Sequence, residues 1–172
     1  MLGPRTRPRK VKVHEVIYAM GGRSSEGRLT SVERHDIGKG NPVWESIAPM
    51  STPRSAPGVA VLGSLIYVVG GNDGQNVLNS SERFDSTTCE WSSDIAPMSV
   101  PRATFGAAAL DDFVYAVGGY NGSECLDTVE RWHWLLLRNN CTLWVGLVGW
   151  TSSTKPLRFL ISRRVNGDIT AA

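Results

Sequence analysis

Imidazole and thiolate groups are the first candidates for chemistry, because they serve as metal ligands, bases and nucleophiles. His14, His35 and His133 are scattered along the chain with no ligand spacing. Cys89, Cys125 and Cys141 are three, so they cannot all pair, and no secretory signal opens the chain. Both features point to reduced thiols in a cytoplasmic protein, with the nucleus as the alternative. Asn79, Asn121 and Asn140 stand in glycosylation sequons, which are expected to go unused in that compartment. Glycines recur as Gly-Gly pairs, but none is followed by the Gly-Lys of a phosphate loop. No catalytic group, metal or cofactor is therefore expected, and the chain reads as a non-enzyme.

Charge is the next signal. The net charge of +2 hides an uneven distribution. Residues 1–12 hold Arg5, Arg7, Arg9, Lys10 and Lys12 without an acid, and residues 132–172 hold five bases against Asp168 alone. The middle of the chain is left at −7. Solvated basic ends explain this better than a nucleic-acid surface, so neither nucleic acid nor a membrane is expected as partner. The apolar run Leu143–Trp150 is far short of the roughly 20 residues that a spanning helix needs.

The elements that could position a binding site emerge from self-similarity. The pairs Gly21-Gly22, Gly70-Gly71 and Gly118-Gly119 recur at a nearly constant interval. Glu33-Arg34, Glu82-Arg83 and Glu130-Arg131 keep the same two spacings. Trp44 and Trp91 follow the same period, Ile-Ala-Pro-Met recurs at 47–50 and 95–98, and Pro-Arg at 53–54 and 101–102. Leu65–Val69 and Phe113–Val117 are β-branched and aromatic runs ending at the glycines, as expected for strands buried on both faces. Val59–Leu62 and Ala107–Leu110 precede them across two-residue turns, which is hairpin spacing. Ser80–Phe84 and Glu90–Ser92 supply a third and an outer fourth strand. Glycine and proline are frequent, at 18 and 9 in the chain, as many short turns require. The chain therefore reads as all-β, built from four-stranded units with a period of about 50 residues.

The order "apolar run, Gly-Gly, Ser-x-Glu-Arg-x-Asp, Trp, Ala-Pro-Met-x-x-Pro-Arg" resembles the kelch domain of BTB–kelch proteins. It stands here as Val32-Glu33-Arg34-His35-Asp36 and Ser81-Glu82-Arg83-Phe84-Asp85, and the resemblance covers about residues 14–131. It implies a kelch-type β-propeller, in which Gly21, Gly22, Gly70, Gly71, Gly118, Gly119, Trp44 and Trp91 are structural repeat residues. It also implies a protein-binding scaffold similar to the substrate-recognition part of a cullin-based ubiquitin ligase adaptor. An actin-binding kelch protein is the alternative, and a kelch-bearing copper oxidase a distant third. Cullin binding is not expected of this chain alone. In such receptors the loop entering each innermost strand and the loop after Gly-Gly line the partner face. Carried over by motif, these positions are Arg54, Arg102 and Thr104, with Asn72 and Tyr120. Arginine grips carboxylates and phosphates in bidentate fashion, so the expected client carries an acidic or phosphorylated motif. The competing role for the two arginines is satisfying loop carbonyls.

The pattern also breaks. Residues 1–12 offer no counterpart of an innermost strand and read as a disordered basic extension. Kelch repeats are expected over 13–131, as 13–50, 51–98 and 99–131. The third Trp and the next Pro-Arg would fall near 139 and 149–150, where Asn139 and Gly149-Trp150 stand instead. Residues 132–172 therefore read as an atypical, irregular tail. The expected fold is an incomplete propeller with one full four-stranded blade and two partial ones.

Overall fold

A computed structural model describes residues 4–39, 43–133, 142–147, 159–165 and 168–171. The described chain is all-β and antiparallel. In the first sheet, β1 (Arg9–Val13), β2 (Val16–Met20), β5 (Val32–Asp36) and β6 (Trp44–Ile47) lie in that order. The second sheet repeats the arrangement with β7 (Gly58–Leu62), β8 (Leu65–Val69), β9 (Ser81–Asp85) and β10 (Glu90–Ser92). The third begins with β11 (Gly106–Leu110), β12 (Phe113–Val117) and β13 (Val129–His133). A two-stranded ribbon of β3 (Arg23–Ser24) and β4 (Gly27–Arg28) projects from the first sheet's glycine loop.

The repeat is reproduced residue by residue. The inner hairpins close at Val13↔Val16, Leu62↔Leu65 and Leu110↔Phe113. The first turn residues His14, Gly63 and Asp111 all have φ between 51° and 60°, the sign that primed two-residue hairpin turns require. Tyr18, Tyr67 and Tyr115 each face an arginine across the sheet, at Arg34, Arg83 and Arg131. Each Gly-Gly pair takes positive φ at both residues. At Gly70 a Cβ would stand 2.4 Å from the Arg102 carbonyl oxygen, so the pair ends the strand and also admits the next repeat's backbone.

Two apolar layers hold the sheets face to face. Val13, Tyr18, Met20 and Val32 of the first sheet pack with Ile66, Val68 and Phe84 of the second. Ala60, Tyr67 and Val69 on the second sheet's other face pack with Val114, Ala116 and Trp132 of the third. Strands buried on both faces lose simple alternation, which is why β8 reads as a continuous apolar run.

Three expectations change. Residues 4–13 are no extension: Thr6 bridges Arg23, and Arg9–Val13 pairs with β2 along its whole length. The first blade is therefore complete, and the described chain has two full four-stranded blades where one was expected. Trp132 does not open the tail. It is buried at the position of Phe84, one repeat on, and belongs to the third blade. The described parts of the tail are strands: β14 (Thr142–Leu147) takes the fourth place beside β13, and β15 (Phe159–Val165) and β16 (Asp168–Ala171) continue the sheet. Positions 139 and 149–150 lie outside the described residues.

Candidate partner-binding face

The loops that join an outermost strand to the next innermost strand share one rim with the loops after Gly-Gly. Backbone pairing fixes this: Thr6↔Arg23, Ser55↔Asn72 and Ala103↔Tyr120 are antiparallel bridges, one per blade, at the same separation in sequence. The rim is thus a row of three equivalent platforms. A second backbone row links them near the centre, where the Ala56 amide donates to the Arg7 carbonyl and the Thr104 amide to the Ala56 carbonyl. Arg7, Ala56 and Thr104 have φ of 52°, 50° and 56°. For a β-branched threonine that conformation is strained.

Arg54 and Arg102 do not reach a partner. Both are 0% exposed, and the expectation that they form a binding surface is overturned by where their donors go. Arg54 Nη1 donates to the Gly70 carbonyl at 2.8 Å and the Ser80 carbonyl at 3.0 Å. Its Nη2 donates to Ser80 Oγ and Glu82 Oε1, both at 3.0 Å, and its Nε to the same carboxylate oxygen at 3.1 Å. All five guanidinium N–H groups are used. Arg102 repeats the set on Gly118, Thr128 and Glu130, with distances of 2.7–3.1 Å. The backbones of these arginines face the other way. Gly22 and Gly71 amides donate to the Arg54 and Arg102 carbonyls, and the Arg54 and Arg102 amides donate to Leu29 and Leu78. Each Pro-Arg strap therefore bonds the preceding blade through its backbone and the following blade through its side chain.

The glutamates differ from the sequence expectation too. Glu33, Glu82 and Glu130 are not surface partners of the arginines beside them. They are buried, and each takes the strap arginine that precedes its blade: Arg5 with Glu33, Arg54 with Glu82, Arg102 with Glu130. Pro4-Arg5 is thus a third copy of the strap, one repeat before Pro53-Arg54. Glu82 also accepts from the Ser51 amide at 2.7 Å and its hydroxyl at 2.8 Å. Burial by itself would raise the Glu82 carboxyl, but the Ser51 and Arg54 donors outweigh it and hold the group below its ordinary range. Burial lowers Arg54, with the Glu82 charge opposing. Arg34 and Arg83 instead pair along the sheet surface with Glu45 and Asp94.

The other three candidate residues do reach the rim. Tyr120 is 42% exposed, its hydroxyl donating to the Gly122 carbonyl. Thr104 is exposed. Asn72 is half-buried, and its Oδ1 accepts from the Gly74 amide and from the Arg28 guanidinium of the first blade's ribbon. Sequence reasoning missed Arg7 and Arg23, which occupy the places of Thr104 and Tyr120 in the first blade and are both exposed. The signal was available in the strap spacing, which puts Arg7 just after Arg5 as Thr104 follows Arg102. Trp91 is half-buried and donates its indole N–H to the Ala48 carbonyl at 2.8 Å, clamping the outer edge.

The opposite rim, at the inner hairpin turns, has a cavity of about 520 Å³ between Leu62–Leu65, Asp85, Glu90 and Asp112. Asp85 there is committed to its own turn, accepting from the Thr87 hydroxyl and amide, which hold its carboxyl below the ordinary range. Among the described residues no group of three His, Cys, Asp or Glu side chains could hold a metal ion.

The kelch motif matches residues 53–98 and 101–133, so kelch repeats are present in this chain. The solved structure of YjhT has a similar fold, with a TM-score of 0.65 over 75% of this chain at 14% identity. The match covers 43% of that protein, so the chain spans less than half of its length. Together with the strap-linked four-stranded sheets, these matches define the fold as an incomplete kelch-type propeller. Kelch repeats of this kind are suggestive of a protein-interaction domain.

Proposed function

We propose that this chain is a client-recognition module acting in the cytoplasm, of the kind that a BTB–kelch adaptor presents to a cullin-based ubiquitin ligase. It would supply the client contact and leave cullin recruitment to other regions. The observation that carries the reading is the division of labour among the arginines. Arg54 and Arg102 are consumed in joining blades, whereas Arg7 and Arg23 stand exposed on the rim where backbone bridges align three loop platforms. No ion pair holds either among the described residues. Such a rim combines rigid support with adaptable side chains, as binding loops on a fixed scaffold do. Arg7 and Arg23, with Tyr120 as an aromatic anchor, suit a client segment bearing carboxylates or phosphates.

The test is a comparison of clients captured by the unmutated chain and by Arg7→Ala/Arg23→Ala, with affinities then measured on each client found. The double substitution should weaken client binding by about 1–3 kcal/mol per buried anchor and leave the circular dichroism spectrum unchanged. Arg34→Ala/Arg83→Ala, away from the rim, should bind normally. Retention of every client at full affinity by the rim variant would refute the reading.

A further inference from the structure

The glycine loops of the second and third blades share one geometry and differ in one chemical group. The bridges Asn72↔Val77 and Tyr120↔Cys125 close equivalent four-residue loops. In each, the first residue's amide donates to the fourth residue's carbonyl, Asp73 to Asn76 at 3.2 Å and Asn121 to Glu124 at 3.1 Å. The side-chain oxygen of that first residue then folds back over the loop as an acceptor. Asp73 Oδ1 takes the Gln75 and Asn76 amides at 2.8 and 2.7 Å. Asn121 Oδ1 takes the Ser123 amide at 2.8 Å, and the Ser123 hydroxyl and Glu124 amide at 2.9 Å. The loop is thus built to hold a carboxylate, and the third blade places a carboxamide in it.

That carboxamide adjoins a glycine whose amide is free. In the second blade the Gly74 amide is tied to Asn72 Oδ1 at 2.9 Å. Tyr120 takes the place of Asn72 in the third blade and offers no such acceptor, because its hydroxyl donates to the Gly122 carbonyl. The Gly122 amide has no acceptor among the described residues. The neighbour of each loop is the preceding blade: a Cβ at Gly122 would stand 3.6 Å from Val77, and one at Gly74 3.5 Å from Arg28. Gly122 is exposed, with no Cβ of its own to crowd the nitrogen. The three donors on Asn121 Oδ1 stand where negative charge would develop if that nitrogen added to Cγ. Both reacting atoms belong to neighbouring residues, so the ring closes without bringing two molecules together.

We infer that Asn121-Gly122 is a self-modification site, at which the folded chain converts its own asparagine to aspartate and isoaspartate. A base takes the Gly122 amide proton, the nitrogen bonds to Asn121 Cγ, and the oxyanion forms at Oδ1 under its three donors. The Cγ–Nδ2 bond then breaks, and Nδ2 takes up one proton and leaves as ammonia, giving a cyclic imide. Water opens the imide at either carbonyl, so one water is consumed and one ammonia released. The aspartate product keeps the loop's donors as Asp73 does, whose carboxyl the Asn76 and Gln75 amides hold below the ordinary range. Each conversion therefore adds one negative charge to the rim beside Tyr120.

The experiment incubates the full chain at neutral and mildly alkaline pH and follows Asn121 by peptide mapping and mass spectrometry. The map separates it from Asn166-Gly167, the chain's other Asn-Gly pair. Aspartate and isoaspartate should both appear at position 121, faster at the higher pH, while Asp73-Gly74, with its nitrogen tied, stays unchanged. Tyr120→Asn gives the Gly122 amide the acceptor that Gly74 has, and Ser123→Ala removes one donor from Oδ1. Each should slow the conversion several-fold with the circular dichroism spectrum intact. An Asn121 that stays intact as long as Asn72 and Asn79 do would overturn the proposal. So would faster conversion in the urea-unfolded chain than in the folded one, because the loop would then protect the amide. Aspartate without isoaspartate would mean direct hydrolysis, which contradicts attack by Gly122.

Discussion

Replacing Arg54 by alanine tests the strap directly. In the folded chain its five N–H groups serve four acceptors: the Gly70 and Ser80 carbonyls, Ser80 Oγ and Glu82 Oε1. Alanine leaves a carboxylate only 2% exposed without its counter-charge. Removing one partner of a buried ion pair costs about 3–5 kcal/mol, because the remaining charge stays desolvated. The surface pair of Arg34 and Glu45, with side chains 36% and 51% exposed, should give no more than about 1 kcal/mol on Arg34→Ala. Urea unfolding followed by circular dichroism measures both. With a slope of about 1–3 kcal/mol per molar urea, Arg54→Ala should lower the midpoint by more than about 1 M or abolish the folded baseline. Glu82→Gln keeps the shape and should fall between the two. If Arg54→Ala unfolds within about 1 kcal/mol of the unmutated chain, less than any buried pair should cost, Arg54 does not join blades and is free for a partner after all.

Three further outcomes follow from the same geometry. Glu82 sits below its ordinary value of 4.5 in the folded chain, so its contribution to stability is present above about that pH and is lost as pH falls through the lower folded value. Glu82→Gln should therefore flatten part of the acid-induced drop in the urea midpoint, and an unchanged pH profile would count against the charged latch. Gly70→Ala should destabilise by about 3 kcal/mol, combining a left-handed φ of 58° with a Cβ 2.4 Å from the Arg102 carbonyl oxygen. A neutral result would mean that the strap is not seated there. Thr104→Gly should raise stability by about 1 kcal/mol by relieving a φ of 56°, read as a higher urea midpoint.

Much of the fold was legible in the sequence because a repeat displays its own register. Leu65–Val69, Phe113–Val117 and Glu90–Ser92 form strands with the boundaries that the apolar runs and glycines imply. The first innermost strand was hidden because Lys10 and Lys12 replace the valines of the next repeat. Its alternation with Val11 and Val13, which pack toward the second sheet, was present, but only on that one face. The strap arginines misled for a different reason. Loops usually lie at the surface, so a Pro-Arg pair in a loop reads as exposed. What buries it is a carboxylate beyond the next inner hairpin. Tertiary pairing over that stretch of chain shows only when the three copies, Arg5 included, are aligned against the glutamates. The rim residues Thr104, Asn72 and Tyr120 were found by motif position, which transfers well because backbone bridges hold those positions equivalent in every blade.

In the proposed function, partners meet the rim formed by the straps and the glycine loops. Site-specific photocrosslinking tests it most directly, with the reactive amino acid placed at Tyr120 on that rim or at Cys89 on the opposite one, both exposed in the folded chain. With a client identified by the affinity comparison, the account predicts a covalent adduct from position 120 that competes away with unlabelled chain, and none from position 89. Adducts from position 89 with none from position 120 would place the partner on the other rim and contradict the account.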